Sequence, residues 1–100
     1  MNRARFIAPA RRELLSAVAY YSDKQPGLGP RFIAAVEEAT ARAVAFPHTG
    51  SPVSRQVRRL FLKDFPYTLI YRHDAEGIVV FAVAHHSRRP EYWRSRVQDR

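Results

Sequence analysis

The 100-residue chain contains no cysteine. Disulfides and thiolate metal sites are therefore excluded, and a reducing cytoplasm fits the composition. No run approaches the ~18 apolar residues that a membrane-spanning helix needs. Nor does a secretory leader follow Met1, because Arg3 and Arg5 precede only a few apolar residues before Arg11 and Arg12. These absences predict a cytoplasmic protein without membrane attachment. Glycines are few, and the pair Gly27 and Gly29 precedes a helix that lacks a P-loop lysine, so no nucleotide-phosphate loop is present. Histidines are His48, His73, His85 and His86 only. His85 and His86 are adjacent, which on a strand sends them to opposite faces and spoils them as metal ligands. No metal, no small-molecule cofactor and no glycosidase-type carboxylate pair is expected.

Two scarcities of charge point toward function. Only 9 residues are acidic against 17 basic, giving a net charge of +8 and a pI near 10.8. Lysine is nearly missing as well, since Lys24 and Lys63 are the only two and the other 15 cations are arginines. The guanidinium fork suits bidentate recognition of phosphate or carboxylate. Nucleic acid, a nucleic-acid machine or an acidic protein partner are the ligands such a balance favours, against a plain solvated arginine surface. Apolar residues make up 46% of the chain, enough for one folded domain over residues 1–100 with a single two-layer core.

Residues 3–7 read as a strand. Pro9 suits the first turn of a helix, and Ala10, Leu14, Val18 and Tyr21 form an apolar stripe at helical spacing, with Arg11, Arg12, Glu13 and Ser16 mainly off it. The breaker at residues 25–30 (QPGLGP) separates this helix from a second that should begin at Pro30 or just after. Phe32, Ile33, Val36, Ala39, Ala43 and Val44 form its predicted buried stripe, Glu37, Glu38 and Arg42 face water, and Pro47 ends it. Residues 48–56 show no pattern beyond polarity and read as a loop. Three β-rich runs then follow between Val57 and His85, parted by turn signals at residues 64–66 and 74–77, where Gly77 can take a positive φ. Short connections make them an antiparallel meander. The predicted fold is α+β, a two-layer β-α-α-β-β-β arrangement with a helical hairpin packed on an antiparallel sheet and a short C-terminal helix over residues 90–96, for which Ser87 is a candidate cap.

Strand alternation groups Arg58, Leu60 and Leu62 against Arg59, Phe61 and Lys63, then Tyr67, Leu69 and Tyr71 against Thr68, Ile70 and Arg72. In the last run Ile78, Val80, Ala82 and Ala84 oppose Val79, Phe81, Val83 and His85. Both faces are apolar, so either the terminal residues fold over the second face or a partner covers it. Just past the meander come His85, His86, Arg88, Arg89, Tyr92, Trp93, Arg94 and Arg96. Cations interleaved with aromatics hold phosphate and stack bases, and a histidine and tyrosine among arginines can also run acid–base chemistry on a ribose hydroxyl. The plainer reading has Tyr92 and Trp93 pinning the C-terminus while the arginines are solvated. Hairpin connectivity predicts that Arg58, Arg59 and Lys63 meet His86, Arg88 and Tyr92 at a common rim. Tyr67, Tyr71, Phe81 and Trp93 are assigned to the core.

An ordered set of short motifs carries a family resemblance. Val57-Arg58-Arg59, Phe65-Pro66-Tyr67, Ile70-Tyr71-Arg72, Ala82-Val83-Ala84-His85, Arg88-Arg89-Pro90 and Tyr92-Trp93-Arg94 resemble the ParE-like, plasmid-stabilisation branch of the RelE/ParE toxin superfamily. Upstream, Tyr20-Tyr21, Gly27-Leu28-Gly29, Arg31-Phe32 and Pro47 fit the same pattern, so the resemblance covers nearly the whole chain. It implies the toxin of a type II toxin–antitoxin system, neutralised in a heteromeric complex by a cognate acidic antitoxin. Two targets are implied by the two branches: DNA gyrase and hence replication for ParE-like members, and mRNA on the ribosome, cut without metal, for RelE-like members. The first is favoured, with no bond-breaking chemistry of its own.

The choice rests on matching positions. The ribonuclease branch carries basic residues where this chain has Arg59 and Phe61, a basic residue where it has Thr68, an arginine at Arg88 and often a nearby tyrosine. Arg59 and Arg88 keep the pattern, Phe61 and Thr68 depart from it, and Tyr92 matches only with a shift in register. If the protein were a metal-independent endoribonuclease, Arg59, His86, Arg88 and Tyr92 would form the site. Otherwise Arg58, Arg59, Lys63, His85, His86, Arg88, Arg89 and Arg94 are the candidates for target or phosphate contact. A third reading is an inactive relative that only binds an antitoxin.

Overall fold

A computed structural model describes residues 3–97. The order is β1 (Arg3–Phe6), α1 (Ala8–Lys24), α2 (Leu28–Ala45), β2 (Ser51–Ser54), β3 (Val57–Phe61), β4 (Tyr67–Asp74), β5 (Gly77–His85) and α3 (Arg94–Val97). The five strands form one sheet in the order β1-β5-β4-β3-β2, antiparallel except for the β1–β5 pair, which is parallel. The predicted α+β hairpin-on-sheet architecture is present. No helix among the described residues is long and apolar enough to cross a membrane.

Each departure from the sequence reading has a local cause. Helix α2 begins at Leu28, two residues before the expected Pro30. The first N–H groups of a helix have no intrahelical acceptor, so proline as the third residue forfeits nothing, and the first turn closes when Arg31 N donates to Gly27 O at 3.2 Å. Ile33 lies on the solvent side of α2 rather than in its buried stripe. Strand β2 falls inside the expected loop. It carries Pro52, which a sheet tolerates there because β2 is the outermost strand and pairs on one side only. The terminal helix is shorter than expected and Ser87 does not cap it; Ser87 N donates instead to His85 Nδ1 at 3.0 Å.

The largest correction concerns β5. Its ladder with β4 runs Leu69↔Val83 and Ile70↔Ala82, then jumps to Tyr71↔Val80. Phe81 is the extra residue of a β-bulge, which resets the alternation. Ile78, Val80 and Val83 therefore face the helices with Leu60, Leu69 and Tyr71, whereas Phe81, Ala82 and Ala84 face away with Val57 and Ile70. The strict alternation read from sequence cannot see such a shift.

Both sheet faces are covered. On one, α1 and α2 lay down Ala10, Ala17, Phe32, Val36, Ala39 and Ala43. Small residues let the helices approach closely, and a Cβ added at Gly29 would collide with the Ser22 side chain. On the other face the chain's own C-terminal segment folds back, burying Trp93 against Val57, Ile70, Phe81 and Ala82. Tyr67, Tyr71, Phe81 and Trp93 are all core residues, as expected. The β4–β5 hairpin turns as expected too, with Gly77 at φ +132° and the Asp74 carboxylate accepting from Glu76 N at 2.9 Å.

Candidate functional site

The site depends on how the C-terminal segment is fastened. Strand β1 ends at Phe6, opposite Val80, and the Ile7 N–H gives its last bond to Val80 O at 3.1 Å. Beyond that point the outer edge of β5 has no strand beside it, and unpaired backbone groups there need other partners. Two side chains supply them. Val83 N donates to Glu13 Oε1 at 2.9 Å, and Arg96 Nη1 donates to Phe81 O at 2.9 Å. Glu13 Oε2 then accepts from Tyr92 Oη at 2.7 Å and from Arg96 Nη2 at 2.9 Å. One carboxylate of α1 thus ties together the helix, the sheet edge and the C-terminal strap.

The strap bounds a recess of about 340 Å³ on the second sheet face. Arg59 and Phe61 enter it from β3, Thr68 from β4, and His86, Arg88 and Arg89 from the segment after β5. Phe61 is 58% exposed, large for an apolar ring. Arg59 lies over that ring with its Cζ 5.7 Å from the centroid, and the His86 ring meets it edge-on at 5.5 Å. His86 Nε2 and Thr68 Oγ1 are hydrogen-bonded to each other at 3.0 Å, which sets the imidazole against the strand. Arg88 stacks on Tyr92 at 3.8 Å and is only loosely paired with Glu13, at 3.9 Å. Among the described residues the one carboxylate on the recess wall is Glu91, which is 2.9 Å from Arg94 and so is already paired.

The recess brings together Arg59, His85, His86, Arg88, Arg89 and Tyr92 among the expected site residues. It does not gather Arg58, Lys63 or Arg94. Arg58 turns to the helix side, where it donates to Gly50 O at 2.7 Å beside Tyr71. Lys63 stands with Arg31 and Glu38 against α2. Arg94 lies outside the strap over the Trp93 ring at 5.6 Å. His85 is at the boundary, its ring edge-on to Tyr67 at 5.0 Å and its Nδ1 accepting from Ser87 N at 3.0 Å.

Tyr92 lines the recess but its hydroxyl points away to Glu13. Burial, and next the hydrogen bond to that carboxylate, hold the phenol above its ordinary pKa. Two residues that matter here carried no site signal in the sequence. Glu13 looks like one polar residue among Arg11, Arg12 and Ser16, and only its spatial meeting with the bare β5 edge makes it a clasp. In the sequence Phe61 stands only as a departure from the ribonuclease pattern, and its exposure follows from lying on the face that the strap only partly covers. A clue was available for Phe61: its neighbours Arg59 and Lys63, two residues to either side, are charged.

Residues 5–90 match the family described as the ParE toxin of the type II toxin–antitoxin system, parDE. Over 89 residues the chain is 28% identical to Toxin ParE2 of Mycobacterium tuberculosis, in strain CDC 1551 / Oshkosh and in strain ATCC 25618 / H37Rv alike, spanning 88% of this chain and 85% of that protein. Among solved structures, one described as the chromosomal ParDE TA system from P. aeruginosa shares the fold with a TM-score of 0.70 at 18% identity, covering 85% of this chain and 96% of that one.

Proposed function

The chain belongs to the ParE toxin family of type II toxin–antitoxin systems, and on that premise we propose that it arrests growth by engaging DNA gyrase through the basic face around Arg59, Arg88 and Arg89. An antitoxin is the partner that family membership brings. We propose further that this antitoxin is acidic and that both act in the cytoplasm, since a chain of net charge +8 is met and held fastest by a segment of opposite sign.

The observation that carries the reading is the convergence of Arg59, His86, Arg88 and Arg89 on one recess whose single carboxylate among the described residues is already paired. That arrangement attracts a polyanion or an acidic protein surface. Tyr92 argues for contact without bond-breaking. A phenol committed to Glu13, with its pKa raised, is a poor proton acceptor near neutral pH. Thr68 and Phe61 add no cation where a developing charge would need one, and each such group can be worth several kcal/mol of barrier, about 3 kcal/mol in measured cases. A second reading, a metal-independent endoribonuclease acting on ribosome-bound mRNA, is favoured by Arg59, His86 and Arg88 lining the same recess.

A supercoiling assay with purified protein tests the proposal. Inhibition of gyrase, or trapped cleaved DNA, is expected from the parent and lost in Arg88→Ala. That variant should stay folded, because Arg88 is half exposed and gives up one surface stacking contact worth about 1 kcal/mol or less. No effect on gyrase at large excess, together with new mRNA ends at ribosome-occupied codons, overturns it for the second reading. Harmless overexpression without antitoxin overturns both and leaves an inactive antitoxin-binding relative.

A further inference from the structure

Phe61 is unexplained by any role described so far. It contributes little to the core, ends β3 opposite Thr68 of β4, and exposes 58% of its area to solvent. An exposed ring held between Arg59 and His86, with Arg88 and Arg89 lining the same recess, has the makings of a stacking platform. We propose that the recess binds a single strand of nucleic acid, with one unstacked base on the Phe61 ring and the flanking phosphates on Arg59, Arg88 and Arg89.

Three features favour a nucleic-acid strand over an acidic peptide. The cations are guanidinium groups, which fit phosphate as a planar fork, and Arg89 has no ion-pair partner among the described residues. The recess, about 340 Å³, stands at the small end of ligand sites, which run roughly 300–1,000 Å³, so it takes one base with its sugar and phosphate rather than a helix. Its wall also carries polar groups suited to base edges: Thr68 and His86 both line the recess, and beyond the Nε2 atom that His86 commits to Thr68 Oγ1 at 3.0 Å, its second ring nitrogen offers a donor or acceptor. Every base has a π-face, so stacking on Phe61 makes the site tolerant of sequence, and a base inside a duplex has no free face to offer.

The inference rests on the reading that this face meets the target, and it names what part of a target assembly the face would touch: a locally unpaired strand. The test uses the purified chain and labelled oligonucleotides, with no topoisomerase present, so its failure leaves the gyrase assay standing and the reverse holds too. Fluorescence anisotropy should show a single-stranded oligonucleotide binding more tightly than its duplex, with an affinity that falls as salt rises. Phe61→Ala should weaken the single strand by roughly tenfold and leave the duplex nearly unchanged. Phe61→Trp should restore or improve binding. Arg89→Ala should weaken both forms, whereas Arg31→Ala, which removes the same charge on the helical side, should have a much smaller effect.

Thermal melts of each variant check that the fold is kept. Equal binding by the parent and Phe61→Ala overturns the proposal. So does equal loss from Arg89→Ala and Arg31→Ala, which would mark the binding as diffuse attraction to a +8 protein. If a labelled polyglutamate peptide binds instead, and only that binding responds to Phe61→Ala, the recess belongs to an acidic protein.

Discussion

Removing the Glu13 carboxylate should loosen the C-terminal strap before it unfolds the rest. The side chain is 16% exposed, and its two oxygens take three bonds, from Val83 N, Tyr92 Oη and Arg96 Nη2. Neutral hydrogen bonds contribute about 1 kcal/mol each and charge-assisted ones about 1.5–3. In Glu13→Ala all three donors lose their acceptor, and simple addition would exceed what the site can lose. The β5 edge is open beyond β1, so water re-satisfies Val83 N, while Arg96 keeps its second bond to Phe81 O at 2.9 Å. Half-buried Tyr92 and the unpaired Arg96 charge remain as the main penalties. A net loss of about 3 kcal/mol follows, the low end for breaking a buried pair by deleting one partner. For a chain of this size that lowers Tm by about 12–24 °C, at roughly 4–8 °C per kcal/mol.

The assay is thermal and urea unfolding followed by two probes. Far-ultraviolet circular dichroism reports the whole fold. The emission of Trp93, the only tryptophan, reports the strap. In Glu13→Ala the Trp93 signal should move ahead of the global transition. Glu13→Gln keeps the shape and one acceptor oxygen but places an amide donor against other donors, so its loss should be intermediate, about 1–2 kcal/mol. A Glu13→Ala protein that melts within about 2 °C of the parent, with both probes coincident, would refute the view that this carboxylate holds the strap, because even one lost charge-assisted bond should shift Tm more than that.

Two further outcomes follow from other buried groups. Tyr71→Phe removes a hydroxyl that donates to Pro47 O at 2.7 Å and accepts from Gly50 N at 3.1 Å; it should cost about 2 kcal/mol in urea unfolding, and the Gly50 amide should exchange faster with solvent. Unchanged exchange at Gly50 would count against that link. Burial pushes the Tyr67 phenol up to about 12, so its contribution is complete below the ordinary tyrosine value near 10 and is lost as pH climbs toward 12, a fall of about 2–3 kcal/mol that Tyr67→Phe should remove from the alkaline melting profile.

Much of the fold was legible because its signals are local. The stripe at Ala10, Leu14, Val18 and Tyr21 and the breaker before α2 have the same meaning in any tertiary setting. The same is true of the hairpin at Gly77. What escaped the sequence reading is what depends on a neighbour. Pro52 is tolerable only because β2 has one partner strand. The bulge at Phe81 is visible only once β4 is laid beside β5, and it decides which of Phe81, Ala82 and Val83 meets the helices. The parallel pairing of β1 with β5 likewise joins residues about 75 positions apart in sequence, Arg3 with Gly77, and no short-range pattern encodes it.

The site divides along the same line, and the division bears on how it works. Arg59 and Phe61 on β3 were grouped on one face by alternation, which held because β3 has no bulge against β4. Arg88, Arg89 and His86 lie beyond the last strand, where no periodicity applies; their meeting with Arg59 comes from the strap, and the strap's path comes from Glu13. Trp93 anchors that strap from below while Arg96 and Tyr92 anchor it at the edge. The candidate cations after β5 are thus mounted on a segment held by the buried Trp93 and by one carboxylate in a different layer of the fold. Charge alone would leave 17 basic residues spread over the surface. Folding collects a few of them beside one exposed ring, and that collection, rather than the overall charge, is what can distinguish a target from any other anion.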